Sequence, residues 1–212
     1  MTQSILMKIL TIPAILIGFT FHEFAHAKVA DRLGDKTPKF QGRLSLNPLV
    51  HTDPIGFIMI LLFGIGWAKP VQVNPSALKN YHKDDLKISI AGPIANLIVA
   101  FACGAIIFLM NKLIPLNVAP SVERIIGIIY VIVRITIQIN CMLFFFNLIP
   151  IPGLDGFHIL RDLFPKAFYK YENKIYQYQF IILFIFILTP ISTYLVWAPT
   201  SITYNLILKL FT

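Results

Sequence analysis

His22-Glu23-Phe24-Ala25-His26 is an H-E-x-x-H box, two histidines four residues apart with a glutamate beside the first. On a helix that spacing turns both imidazoles to one face, where they can share a single Zn²⁺. Glu23 projects next to them, where a carboxylate can take a proton from the water that attacks a polarised carbonyl. The flanking run Ile15-Leu-Ile-Gly-Phe-Thr-Phe21 is apolar enough for a bilayer. The chemistry expected is therefore peptide hydrolysis within or against a membrane.

Catalytic zinc takes three protein ligands and keeps one open position. The strongest oxygen candidate for the third is Asp155, in Asn147-Leu-Ile-Pro150-Ile-Pro152-Gly-Leu-Asp155-Gly156. Prolines there end an apolar helix, and the irregular backbone can set an acidic side chain at the edge where His22 and His26 lie. His51, His82 and His158 have no paired spacing and read as loop or interface residues, with His158 close enough after Asp155 to support it. Asn96 reads as a helix-packing amide beside Gly92 and Pro93, and Asn147 is placed to cap a broken helix end. Arg134, inside an apolar run, needs an acceptor or a snorkelling path to the interface.

The elements that must position these residues are membrane helices. The 212 residues are 57% hydrophobic and 13% charged, against about 25% charged in a soluble domain. Four runs approach the roughly 20 apolar residues a span requires: Ile5–Val29, Ile88–Met110, Ile125–Asn147 and Phe180–Trp197. A shorter piece, Ile55–Ala68, holds Gly56, Gly64 and Gly66 between Pro54 and Pro70 and reads as a re-entrant loop or β-hairpin. The tail Tyr204–Thr212 is too brief to span and reads as an interfacial helix. The expected fold is an all-α polytopic membrane protein of about four transmembrane helices with those two additions, one membrane-embedded domain over residues 1–212.

The formal charge of +8 is gathered in loops rather than along one stripe, which argues for a lipid bilayer and against nucleic acid as the partner. One side collects Lys28, Arg32, Lys36, Lys39 and Arg43, then Lys69, Lys79, Lys83 and Lys87, then Arg161, Lys166, Lys170 and Lys174. The other keeps Lys8, Lys112, Arg124 and Lys209. The positive-inside rule makes the first side cytoplasmic, together with the H-E-x-x-H box, in a multi-pass protein of the cell membrane. Lys8, the apolar run and Ala25-His26-Ala27 imitate a signal peptide, but cleavage there would cut through the box, and basic residues follow directly. Cys103 and Cys141 fall in apolar runs and read as core residues. No signature of a particular oligomeric state is present.

Taken together, the chain resembles the site-2 protease family of intramembrane zinc metalloproteases, in its compact branch without PDZ or CBS modules. His22-Glu23-x-x-His26 is similar to the first family motif, and Asn147-x-x-Pro150-x-Pro152-x-x-Asp155-Gly156 to the second. Ala91-Gly92-Pro93-Ile94-Ala95-Asn96 resembles the Gly-Pro-x-x-Asn element, and Gly42–Pro48 and Gly66–Pro75 resemble loops of the compact branch. The resemblance implies one Zn²⁺ per chain on His22, His26 and Asp155, with Glu23 as general base. It also implies that Asn147 hydrogen-bonds the substrate or the developing oxyanion. Substrates would be transmembrane proteins, held as an added strand by the re-entrant piece and by Phe40–Leu46. The rival reading is a metal-ion transporter using the same polar cluster as a transit site, but the chain has no two-fold repeat and its polar groups gather at one depth.

Overall fold

In hydrocarbon a backbone group must find its partner within its own segment, so the long apolar runs become long helices. A computed structural model describes residues 2–64, 66–114 and 118–212. Its helices are α1 (Thr2–Leu33), α2 (Thr37–Phe40), α3 (Pro48–His51), α4 (Pro54–Phe63), α5 (Tyr81–Leu113), α6 (Pro120–Asn147), α7 (Asp155–Leu163), α8 (Pro165–Tyr169), α9 (Glu172–Gln177), α10 (Gln179–Leu188) and α11 (Ala198–Phe211). Helices α1, α5 and α6 are each long and apolar enough to cross a membrane, and the α10–α11 pair makes a fourth crossing if its 72° bend is counted within one span. The chain is a multi-pass membrane protein.

The fourth apolar run is broken where the sequence suggests continuity. Thr189 is extended, with ψ of 162°, because the ring of Pro190 disfavours helical geometry in the residue before it. A wide π turn over Thr193–Trp197 then leads into α11. The tail expected at the interface packs into the bundle, with Ile207 only 1% exposed among Val99, Ala100, Cys103, Ile107, Ile137 and Cys141. Both cysteines are free and buried in that core, as expected.

The piece between the prolines folds back on itself. Asp53 caps α4 by accepting a hydrogen bond from the Gly56 amide at 2.8 Å. The helix stops at Gly64, whose φ of +77° suits a residue without a side chain. The chain then returns extended: Ala68 pairs with Thr52 in one antiparallel bridge, and Lys69 N donates to His51 O at 3.0 Å. A Cβ at Gly56 or Gly66 would run into the backbone of the opposing arm. The re-entrant element is thus a ten-residue helix with an extended return, and this bridge is its β pairing among the described residues.

Lipid tails are as apolar as leucine, so helices in a bilayer are held by close packing rather than by hydrophobic exclusion. Small residues mark the approaches. A Cβ at Gly18 of α1 would stand 2.8 Å from Leu143 of α6, and one at Gly104 of α5 would stand 2.5 Å from Phe211 and 2.7 Å from Ile207 of α11. Helix α7 docks on the start of α5 through Arg161, whose guanidinium binds Asp85 and Asp162 and lies 5.2 Å from the Tyr81 ring. Gly104→Val is expected to wedge α11 off α5 and cost about 1–3 kcal/mol in thermal unfolding of the detergent-solubilised protein. Gly127→Val, at a glycine with nothing within 4 Å, should change little.

Candidate active site

The three side chains singled out by spacing meet at one point. His22 Nε2 lies 3.2 Å from one carboxylate oxygen of Asp155, and His26 Nε2 lies 3.3 Å from the other. The two Nε2 atoms are 3.0 Å apart. Asp155 reaches this depth because α6 ends at Asn147 and the chain turns back before α7 begins. Gly153, at φ +92°, makes that turn, and Gly156 sits so close to the Leu148 carbonyl that a Cβ would collide with it.

The proton positions follow from the outer partners. His26 Nδ1 faces the Ile88 carbonyl of α5 at 2.7 Å, and a carbonyl only accepts, so Nδ1 carries the hydrogen. His22 Nδ1 faces Asn96 Oδ1 at 2.7 Å. The amide orientation of Asn96 is fixed in turn, because its Nδ2 donates to Gly18 O at 3.1 Å and to Asn140 Oδ1 at 3.0 Å. Asn140 Nδ2 donates onward to Thr136 O. With both Nδ1 atoms protonated, both neutral imidazoles aim Nε2 lone pairs at each other and at the carboxylate.

Such convergence calls for a cation. Asp155 Oδ2 is buried and accepts no hydrogen bond among the described residues. A tetrahedral zinc with bonds of about 2.0–2.1 Å has ligand-to-ligand edges of roughly 3.3 Å. The observed edges of 3.0, 3.2 and 3.3 Å fit. Room for the rings depends on Gly92 of α5, where a Cβ would stand 2.6 Å from His22 Cε1 and 2.7 Å from His26 Cε1.

Glu23 is held by the returning arm of the re-entrant element. Its Oε2 accepts from the Val71 amide at 2.9 Å, which leaves its other oxygen without a partner from the chain among the described residues. That arm is clamped along its length. Arg43, 3% exposed, donates to the carbonyls of Val50, Lys69 (2.7 Å) and Pro70. Asp35, fully buried, accepts from Asn74 N at 2.8 Å. His22 and Glu23 open onto a cavity of about 640 Å³ that runs along α1 as far as Thr11. Its walls include Phe146 and Asn147 of α6, Trp67 of the returning arm, and Phe186 and Trp197 beside the break in the fourth run.

Asn147 lines this cavity, and its Nδ2 donates to Leu143 O at 3.0 Å in the last turn of α6. The other candidates lie elsewhere. His51 is buried and bonds Ser45 O at 2.7 Å, and its burial pushes the imidazole below its ordinary value. His82 binds Asp162 at 2.8 Å, and His158 lies 3.7 Å from Asp85 rather than on Asp155. Arg134 donates to the Tyr204 hydroxyl at 2.8 Å. Asn140 and Arg43 were not singled out in the sequence. Asn140 had a signal, since Thr136, Asn140 and Asn147 recur at helical spacing within an apolar span.

The model of peptidase family M50 matches residues 10–137 and 115–189 of the chain. The chain belongs to peptidase family M50. The resemblance to site-2 proteases is thereby borne out, and membership makes the chain a zinc metalloprotease rather than a transporter. Among curated relatives, the Bacillus subtilis protein named "Putative zinc metalloprotease YwhC" is 40% identical over 200 residues, covering 93% of this chain and 88% of the relative. MJ0611 of Methanocaldococcus jannaschii, with a name of the same form, is 32% identical over 160 residues, covering 74% and 72%. Rip2 of Mycolicibacterium smegmatis, likewise, is 28% identical over 187 residues, covering 86% and 68%. No solved structure matches the chain significantly.

Asn96→Leu and Asn140→Leu should each weaken zinc binding, measured by competition with a chelator, by about 10–100-fold. Unchanged affinity in both would mean that His22 does not depend on this line of amides.

Proposed function

We propose that this chain is an intramembrane endopeptidase that hydrolyses peptide bonds of transmembrane proteins, with zinc held by His22, His26 and Asp155. The observation that carries the reading is the meeting of the two Nε2 lone pairs and the Asp155 carboxylate at the end of a membrane-embedded cavity, with Glu23 opening onto that cavity. Zinc bound there supplies a Lewis acid that polarises the scissile carbonyl and makes water nucleophilic near neutral pH.

The residues of the chain divide the remaining work. Val71 N pins one oxygen of Glu23, and the other accepts a proton from water as the water oxygen bonds to the carbonyl carbon. Glu23 then delivers that proton to the amine nitrogen as the C–N bond breaks. The Asn147 amide, on the cavity wall, donates to the substrate carbonyl as its oxygen gains charge. Mostly apolar walls exclude bulk water and accept a hydrophobic segment. That segment must be extended at the bond to be cut, because a helical carbonyl is already occupied by its own ladder. Basic loops on the side of the box favour a site facing the cytoplasm in the cell membrane.

In liposomes carrying a transmembrane substrate, Glu23→Gln should keep about one zinc per chain while cleavage falls by at least ~10²–10⁴-fold. Undiminished cleavage would remove Glu23 as the base. Asp155→Ala should lose both metal and activity, and a zinc content equal to wild type would remove Asp155 from the ligand set.

A further inference from the structure

A second polar site lies on the outer face of the bundle, where α6 crosses α11. Arg134 stands in the middle of α6, fourteen residues after Pro120 and thirteen before Asn147. At 1.5 Å per residue that is roughly 20 Å from either end, beyond the reach of its side chain. It is exposed, and its one side-chain hydrogen bond among the described residues goes to Tyr204, whose hydroxyl accepts at 2.8 Å and whose ring lies 5.8 Å away. Beside it is a cavity of about 210 Å³ lined by Gln138, Thr200, Ser201, Tyr204 and Asn205. Thr200 is 2% exposed, and its hydroxyl has no partner among the described residues.

An outer face at this depth should be apolar, and an unneutralised guanidinium there is costly. The site therefore fits a group that brings negative charge and accepts hydrogen bonds at mid-membrane depth. Lipid headgroups do not lie at that depth. A second copy does not supply the charge either: within the apolar stretches of the crossing helices Glu23 is the sole acidic residue, and it is committed to Val71 N.

We propose that the α6–α11 face docks a transmembrane helix of another membrane protein that carries a carboxylate near its centre. The carboxylate pairs with Arg134 and takes a hydrogen bond from Thr200, while Gln138 and Asn205 face the flanking backbone. Trp197 lines both this cavity and the larger one at the candidate active site, so the docked helix lies against a shared wall. The surface is separate from the hydrolytic residues, and the proposal stands or falls independently of them.

The test uses the full chain in phosphatidylcholine vesicles with a synthetic leucine-alanine transmembrane peptide, lysine-flanked, bearing one central glutamate or a central leucine. Energy transfer between labelled protein and peptide should report association of the glutamate peptide about tenfold tighter than the leucine peptide, the factor set by one interhelical polar contact. Arg134→Leu should erase the difference while leaving zinc content and cleavage unchanged. Asn205→Trp, which fills the cavity but keeps the arginine, should erase it too. Equal association of both peptides, or a preference that survives both variants, would overturn the proposal. So would self-association of wild-type chains that Arg134→Leu abolishes, since that would assign the face to a second copy.

Discussion

Two imidazole nitrogens that each keep a lone pair can face one another across 3.0 Å only if something positive lies between them and the carboxylate beside them. That electrostatic demand organises the bundle. Each ring is turned by a partner on α5, His26 by the Ile88 carbonyl and His22 by Asn96, so the helix that carries the histidines does not set their protonation. Asn96 owes its orientation to Gly18 O on α1 and Asn140 on α6. One line of amides therefore passes through all three long helices, and the interior that looks merely apolar is registered by a few polar groups that cannot be left unpaired. The glycines serve the same end, since Gly18 and Gly92 let the backbones come close enough for those short bonds.

The general-base candidate is governed differently. Glu23 sits on a rigid helix, but the group that orients it is a backbone amide on the returning arm of the re-entrant element. That arm has one β bridge and would be loosely held without Arg43, which ties its carbonyls to the loop before α4. An arginine buried among carbonyls rather than carboxylates keeps its charge partly uncompensated, and burial lowers its hold on the proton. Stiffness in a segment with so little regular pairing is bought with that cost. The candidate metal ligands rest on helix packing, and the candidate base rests on a clamped extended arm.

Much of this was legible in the sequence because its signals are local. The i, i+4 histidines, the proline-broken end before Asp155 and three of the four spans follow from spacing and hydropathy alone. Pro190 also announced the break in the fourth run, although hydropathy concealed it by remaining high on both sides. The docking of α11 was not legible, since its buried Ile207 and half-buried Phe211 look like any short amphipathic tail. Arg43 reads as one more loop charge, because bonds to main-chain carbonyls leave no complementary residue to find. Asn140 sits 44 positions from its partner Asn96, and only the crossing of α5 and α6 brings them together.

The order of the ligand candidates along the chain has a consequence for biosynthesis. Asp155 leaves the ribosome roughly 130 residues after His22, Glu23 and His26, on the order of ten seconds at ordinary elongation rates. During that interval the box has neither its carboxylate nor the α6 amide that steadies Asn96. On the proposed ligand set, a growing chain inserted beside other nascent membrane proteins cannot yet assemble a complete zinc site. The long gap between the two motifs thus acts as a delay, holding the hydrolase inert until most of its own bundle has been made.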